Sequence, residues 1–161
     1  MKFRLEHPLP AEATLAWKTI MSEDFATQSY GASGTVRELI SQEERDGKIY
    51  SVVKVKVNEE LPPMAAKVLG TRQLSWTQQQ IIDNATMTMQ WKINIPGADK
   101  VQAGGFFKVI PVGAQSKRVV DGDVTVKIPL VGRKAEEHIC KKLEESYEKS
   151  ARFTQQWLGN L

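Results

Sequence analysis

The side chains able to do acid–base, nucleophilic or metal chemistry are few: two histidines, His7 and His138, and one cysteine, Cys140, in a chain of 161 residues. A zinc site of the usual nitrogen and sulfur type needs three or four ligands, so these would have to recruit carboxylates. No metal site and no cofactor is assigned. The acids Glu43 and Glu44, and Glu59 and Glu60, come as adjacent pairs. Neighbours on a strand point to opposite faces, so neither pair can act jointly on one substrate, and both read as solvated charge. No nucleophile elbow, phosphate loop or dinucleotide fingerprint is present, and Gly104-Gly105 reads as a bulge at a strand start. Cys140 reads as a small half-buried hydrophobe and His138 as a solvated side chain. No catalytic residue is assigned.

What remains is the chemistry of recognition. Strand parity places Val53, Val55, Leu74, Trp76, Gln78, Met87, Met89, Trp91, Ile93, Val126 and Ile128 on inward faces. Helical spacing adds Leu143, Ser146, Tyr147 and Ser150 from the C-terminal segment. Methionine suits an adaptable wall, and buried amides such as Gln78 and Gln80 need partners. A mostly apolar wall with a few polar groups is the ordinary form of a small-molecule site. His7 falls on the apolar parity of the first strand and joins the polar candidates. The competing reading is a filled core between a sheet and a helix.

The element that must position these groups is one long helix over Gly132–Trp157. Ala135, Ile139, Leu143, Ser146, Tyr147, Ser150, Phe153, Thr154 and Trp157 share a face. Acid-first pairs such as Glu137 with Lys141 add only a few tenths of a kcal/mol each, so the helix depends on burying its stripe. Ser146 and Ser150 make that stripe thin at its middle, which points to open space beneath it.

Ahead of the helix, residues 2–7 alternate as a strand that Pro8 and Pro10 end, with Pro10 opening a helix over 11–21. Ser22 caps a second short helix to Ser29, closed by Gly31 and Gly34. Asp46-Gly47 joins strands 35–45 and 48–58 as a hairpin. The Leu61–Leu69 stretch, with Met64, Val68 and Leu69, is too apolar for an idle loop and is expected to form a flap or short helix. Strands 72–82 and 86–95 follow. Residues 105–112 are apolar on both parities, so their faces stay unassigned. A last strand turns Val124, Val126, Ile128 and Leu130 inward, with Gly122 marking a bulge or bend. The fold class is α+β: a curved antiparallel sheet of about seven strands, in the order β-α-α-β6-α, as one domain over 1–161.

Composition narrows the partners. With 41% hydrophobic and 25% charged residues, a net charge of +3 and basic residues spread along the chain, no nucleic-acid footprint is seen. No run approaches the roughly 20 apolar residues of a membrane span, which leaves a transient membrane or protein contact open. A lone cysteine suits a reducing cytoplasm.

The join Val126-Lys127-Ile128-Pro129-Leu130-Val131-Gly132, and the helix end Phe153-Thr154-Gln155-Gln156-Trp157-Leu158, resemble the START-like superfamily, also called SRPBCC or helix-grip proteins. Within it they are similar to an uncharacterised bacterial branch. The resemblance covers the whole chain. It implies a sheet gripping the last helix around an apolar cavity, and a hydrophobic small molecule or lipid as partner, with a carrier, sensor or chaperone role. Because the superfamily has no shared catalytic motif, it supplies no active-site residue. Two alternatives stand beside it. One is a polyketide aromatase/cyclase-like enzyme, in which His7, Glu6 or Tyr147 would face the cavity. The other is an interaction module with a filled core, docking through the sheet exterior or the Leu61–Leu69 flap.

Overall fold

The computed structural model describes residues 1–63, 66 and 71–161. The flap expected around Met64, Val68 and Leu69 lies outside the described residues. One antiparallel sheet holds seven strands: β1 (Lys2–Leu9), β2 (Thr35–Arg45), β3 (Lys48–Glu60), β4 (Gln73–Asp83), β5 (Thr88–Asn94), β6 (Val101–Val112) and β7 (Gln115–Val126). Their order across the sheet is β1-β7-β6-β5-β4-β3-β2. Helices α1 (Ala13–Ile20) and α2 (Glu23–Ala32) follow β1, and α3 (Gly132–Gly159) ends the chain.

Local chemistry explains most boundaries. Asp46 and Gly47 both adopt positive φ, 53° and 76°, which is the geometry of a two-residue turn matched to strand twist. The side chain of Ser22 caps α2 by accepting from the Phe25 N–H at 3.3 Å. That helix runs through Gly31, and Gly34, at φ 77°, turns the chain afterwards. Two proline expectations fail. β1 continues through Pro8 to Leu9, where Pro8 pairs opposite Lys117; an edge strand tolerates a missing N–H on its outer side. The cap of α1 is Glu12, whose carboxylate accepts from Leu15 N–H at 2.7 Å, so Pro10 stays outside the helix.

The glycines of β6 and β7 shift no register. Gly105 and Gly122 stand opposite each other in an unbroken ladder, which corrects the expected bulges. They are needed for closeness instead. A Cβ on Gly105 would meet the Asp121 carbonyl oxygen, and one on Gly122 would meet the rings of Phe3 and Trp91 at 2.8 Å. Phe3 and Trp91 thereby lie against the β7 backbone, ring centroids 6.4 Å apart.

Around them forms the solid core: Leu9, Trp17, Phe107, Val109, Val120, Val124, Val126, Cys140 and Leu158. The doubly apolar β6 resolves with Phe107 and Val109 inward and Phe106 outward. Leu130, expected inward, is fully exposed at φ 71°, because β7 ends at Val126 and the chain is already turning towards α3. The buried line of α3 runs through Cys140, Ala151, Thr154 and Leu158, while Ser146 is exposed. It is rotated from the expected stripe because α3 packs on β7 and β1 and not on the middle of the sheet. Among the described residues, no helix is long and apolar enough to cross a membrane.

Candidate functional site

Because α3 lies over the β1–β7 side, no long helix of the described residues lies against the concave face of β2, β3 and β4. α2 closes part of that side, and between them is a pocket of about 340 Å³. That volume falls in the roughly 300–1,000 Å³ range of small-molecule sites. The middle of α3 forms one rim, with Leu143, Ser146, Tyr147 and Ser150. The opposite wall comes from Val55 and Ser51 on β3, Trp76, Gln78, Gln80 and Ile82 on β4, and Met89 and Ile93 on β5.

The remaining sequence candidates lie elsewhere. Trp91 and Val126 belong to the solid core. Met87, in the turn before β5 at φ 53°, and Ile128, beyond the end of β7, pack against that core's edge. Val53 is fully buried opposite Gln78 and off the pocket wall. Leu74 is half-buried near the start of β4 and also off the wall. Each has the expected parity or nearly so; what differs is its position along the strand or across the sheet.

α2 supplies residues that alternation could not suggest: Phe25, Ser29 and Tyr30 line the pocket, with Arg37 of β2 and Glu23 beside them. Arg37 and Glu23 form a two-pronged ion pair at 2.6 and 3.1 Å, a geometry that holds both side chains firmly. Burial pushes the Tyr30 phenol above its ordinary value, against the opposing pull of Arg37.

The least expected group is Arg118 on β7, only 2% exposed and on the pocket wall. Its Nε donates to His7 Nδ1 at 3.2 Å, Nη1 to Ser150 Oγ at 3.2 Å and Nη2 to the Tyr147 carbonyl at 2.6 Å. The guanidinium also sits over the rings of Phe107 and Tyr147, 5.8 and 5.9 Å from their centroids. Since Nδ1 of His7 accepts, its Nε2 carries the hydrogen and donates to Glu148 Oε1 at 2.8 Å. Burial brings Arg118 down to about 10, with Tyr147 and Glu148 opposing, so it stays a cation at neutral pH. Burial pushes the Tyr147 phenol well up, reinforced by Tyr30. The hydrogen bond from His7 holds Glu148 below the ordinary carboxylate value.

A signal for Arg118 did exist. The inward parity of Val126 and Val124, carried back across Gly122, passes through Val120 to Arg118 and Ser116, and all of these but the glycine are buried. In the β1–β7 register His7 stands opposite Arg118. Of the other polar candidates, Glu6 faces outward, 3.2 Å from Lys117, and His7 is buried behind Arg118, off the wall. Among the described residues, no three His, Cys, Asp or Glu side chains come together as a metal site would need.

Comparison with known proteins agrees with this fold. Residues 4–158 match the family model described as protein of unknown function, DUF2505. No curated protein matches in sequence. Among solved structures, the chain is similar to the Zhui aromatase/cyclase from Streptomyces sp. R1128, with TM-score 0.70 and 16% identity over 99% of this chain and 94% of that one. It is similar to Ara h 8.0201, with TM-score 0.71 and 15% identity over 100% and 99% of the two chains. It is also similar to a START superfamily protein from Mycobacterium smegmatis, with TM-score 0.63 and 13% identity over 97% and 98%. The fold is that of the START-like, helix-grip superfamily.

Proposed function

The chain belongs to the DUF2505 family, and we propose that it binds a hydrophobic small molecule or lipid in the pocket between α2, α3 and the β2–β4 face. The role would be that of a carrier, sensor or chaperone, exercised in the cytoplasm by a single domain. The observation that carries this reading is the division of the concave face into a filled half and a half that walls a 340 Å³ pocket. Burying an apolar guest there contributes about 25 cal/mol per Å² before ordering costs are subtracted. The wall residues Val55, Trp76, Gln78, Met89, Ile93, Leu143, Ser146, Tyr147 and Ser150 are proposed to touch it.

A structural neighbour is an aromatase/cyclase, but the three groups considered for proton transfer here are poorly suited to it. Glu6 faces outward, His7 is screened by Arg118, and the Tyr147 phenol is pushed further from neutral pH. Binding is therefore preferred over turnover. The test is a fluorescence titration with the neutral dye N-phenyl-1-naphthylamine, together with thermal melts. Saturable one-site binding and a melting temperature that rises with dye concentration are expected. A cooperatively folded protein that takes up no dye would overturn the reading.

A further inference from the structure

The pocket wall carries two arginines, and they are not equivalent. Arg37 is neutralised by the two-pronged contact with Glu23, itself on the wall. No carboxylate of the described residues lies within ion-pair distance of Arg118. The nearest acid, Glu148, is reached only through His7 and stands off the wall, half exposed. Glu23, Arg37 and Arg118 are the charged residues of the described wall, so the pair cancels and Arg118 leaves that wall positive.

Arg118 also has donors to spare. A guanidinium offers five N–H groups, and three are placed, on His7, Ser150 and the Tyr147 carbonyl. One N–H on each terminal nitrogen has no partner among the described residues. Trp76, on the facing wall, has its Nε1–H buried and likewise without a partner. A buried cation without a counter-charge is costly, and an apolar residue of similar volume would often hold the fold as well or better. An acidic guest would turn that cost to use: the arginine is already desolvated, held in place by three hydrogen bonds, and pairs strongly with carboxylate-like oxygens.

Building on the ligand-binding reading above, we propose that the physiological ligand is an amphipathic monoanion. Its apolar body lies against Trp76, Met89 and Leu143, and its single acidic head is received by Arg118. The shared chemistry is an anionic oxygen head on a hydrophobic body; a carboxylate and a sulfonate both supply it.

Matched probes test this. N-phenyl-1-naphthylamine and 1-anilinonaphthalene-8-sulfonate have the same apolar body without and with an acidic group, and decanoic acid and methyl decanoate form a second pair. The native chain is expected to bind the sulfonate at least about tenfold tighter than the neutral dye, and decanoate is expected to displace the neutral dye at least about tenfold better than its ester. Arg118→Met should erase both preferences while neutral-dye binding persists, and Arg118→Lys should keep part of them. The acid–ester comparison on the native chain decides the matter even if Arg118→Met fails to fold. Neutral-dye binding with no acid preference would overturn this proposal, leave the ligand-binding reading intact and make Arg118 a tie between β7 and α3. A folded chain that binds none of the four probes would overturn the ligand-binding reading, and this proposal with it.

Discussion

The two halves of the sheet are built from similar alternating strands and have opposite fates. On the β1, β7, β6 and β5 side, Phe3, Trp91, Val120 and Val124 interlock beneath α3, and Met89, Ile93, Phe107 and Arg118 mark the boundary where these strands reach the pocket. On the β4, β3 and β2 side, Ser51, Val55, Trp76, Gln78 and Gln80 face the pocket. The difference shows that burial and packing are separate properties: Gln80 and Phe3 are equally buried, yet Gln80 borders the pocket and Phe3 lies in the hydrophobic core. A residue in the first half is expected to affect stability most, and one in the second half binding most.

The sharpest test of that division is the pair of tryptophans. Trp91→Ala should cost about 3–5 kcal/mol of unfolding free energy, since it empties the centre of the filled half; urea denaturation measures it. A loss well under that would break the comparison. Gly122→Ala should cost about 1–3 kcal/mol by forcing Phe3 or Trp91 from the β7 backbone, read from the same urea curves. Trp76→Ala should change stability by less than about 1 kcal/mol, because its side chain is only half-buried and already borders the pocket, unlike that of Trp91. Its main effect should be on neutral-dye affinity, weakened about tenfold by the lost wall area. Stability effects of equal size at Trp91 and Trp76 would mean the halves do not differ.

The smallest effect concerns Glu148, which belongs to the Arg118–His7 chain between the halves. The His7 hydrogen bond holds its folded-state value below the ordinary 4.5. Its contribution is therefore present above the unfolded value and lost as pH falls through the lower, folded one. Glu148→Gln should flatten the decline of the urea midpoint slightly between pH 5 and the acid transition. The change is small because the carboxylate is half exposed.

Local chemistry made much of the fold legible. The Asp46-Gly47 turn, the Ser22 cap, the alternation of Met89, Trp91 and Ile93, and the long final helix all depend on residues a few positions apart, and each is found in the structure. The thin middle of α3 was also readable, and Leu143, Ser146, Tyr147 and Ser150 form its pocket rim. Pro8 misled because its effect depends on whether β1 is an edge strand, which nothing local reveals.

The sequence by itself determined parity, turn positions, helix length and the α+β class, since these follow from backbone geometry and short-range spacing. Tertiary structure alone decided which half of the sheet α3 would fill, that α2 would bring Tyr30 and Ser29 to the pocket, and that Arg118 would meet His7 across 111 positions of chain. Periodicity assigns a side chain to a face. Where on that face it finds packing, open space or an unneutralised charge depends on contacts between distant segments, which exist only once the sheet has curved and the last helix has docked.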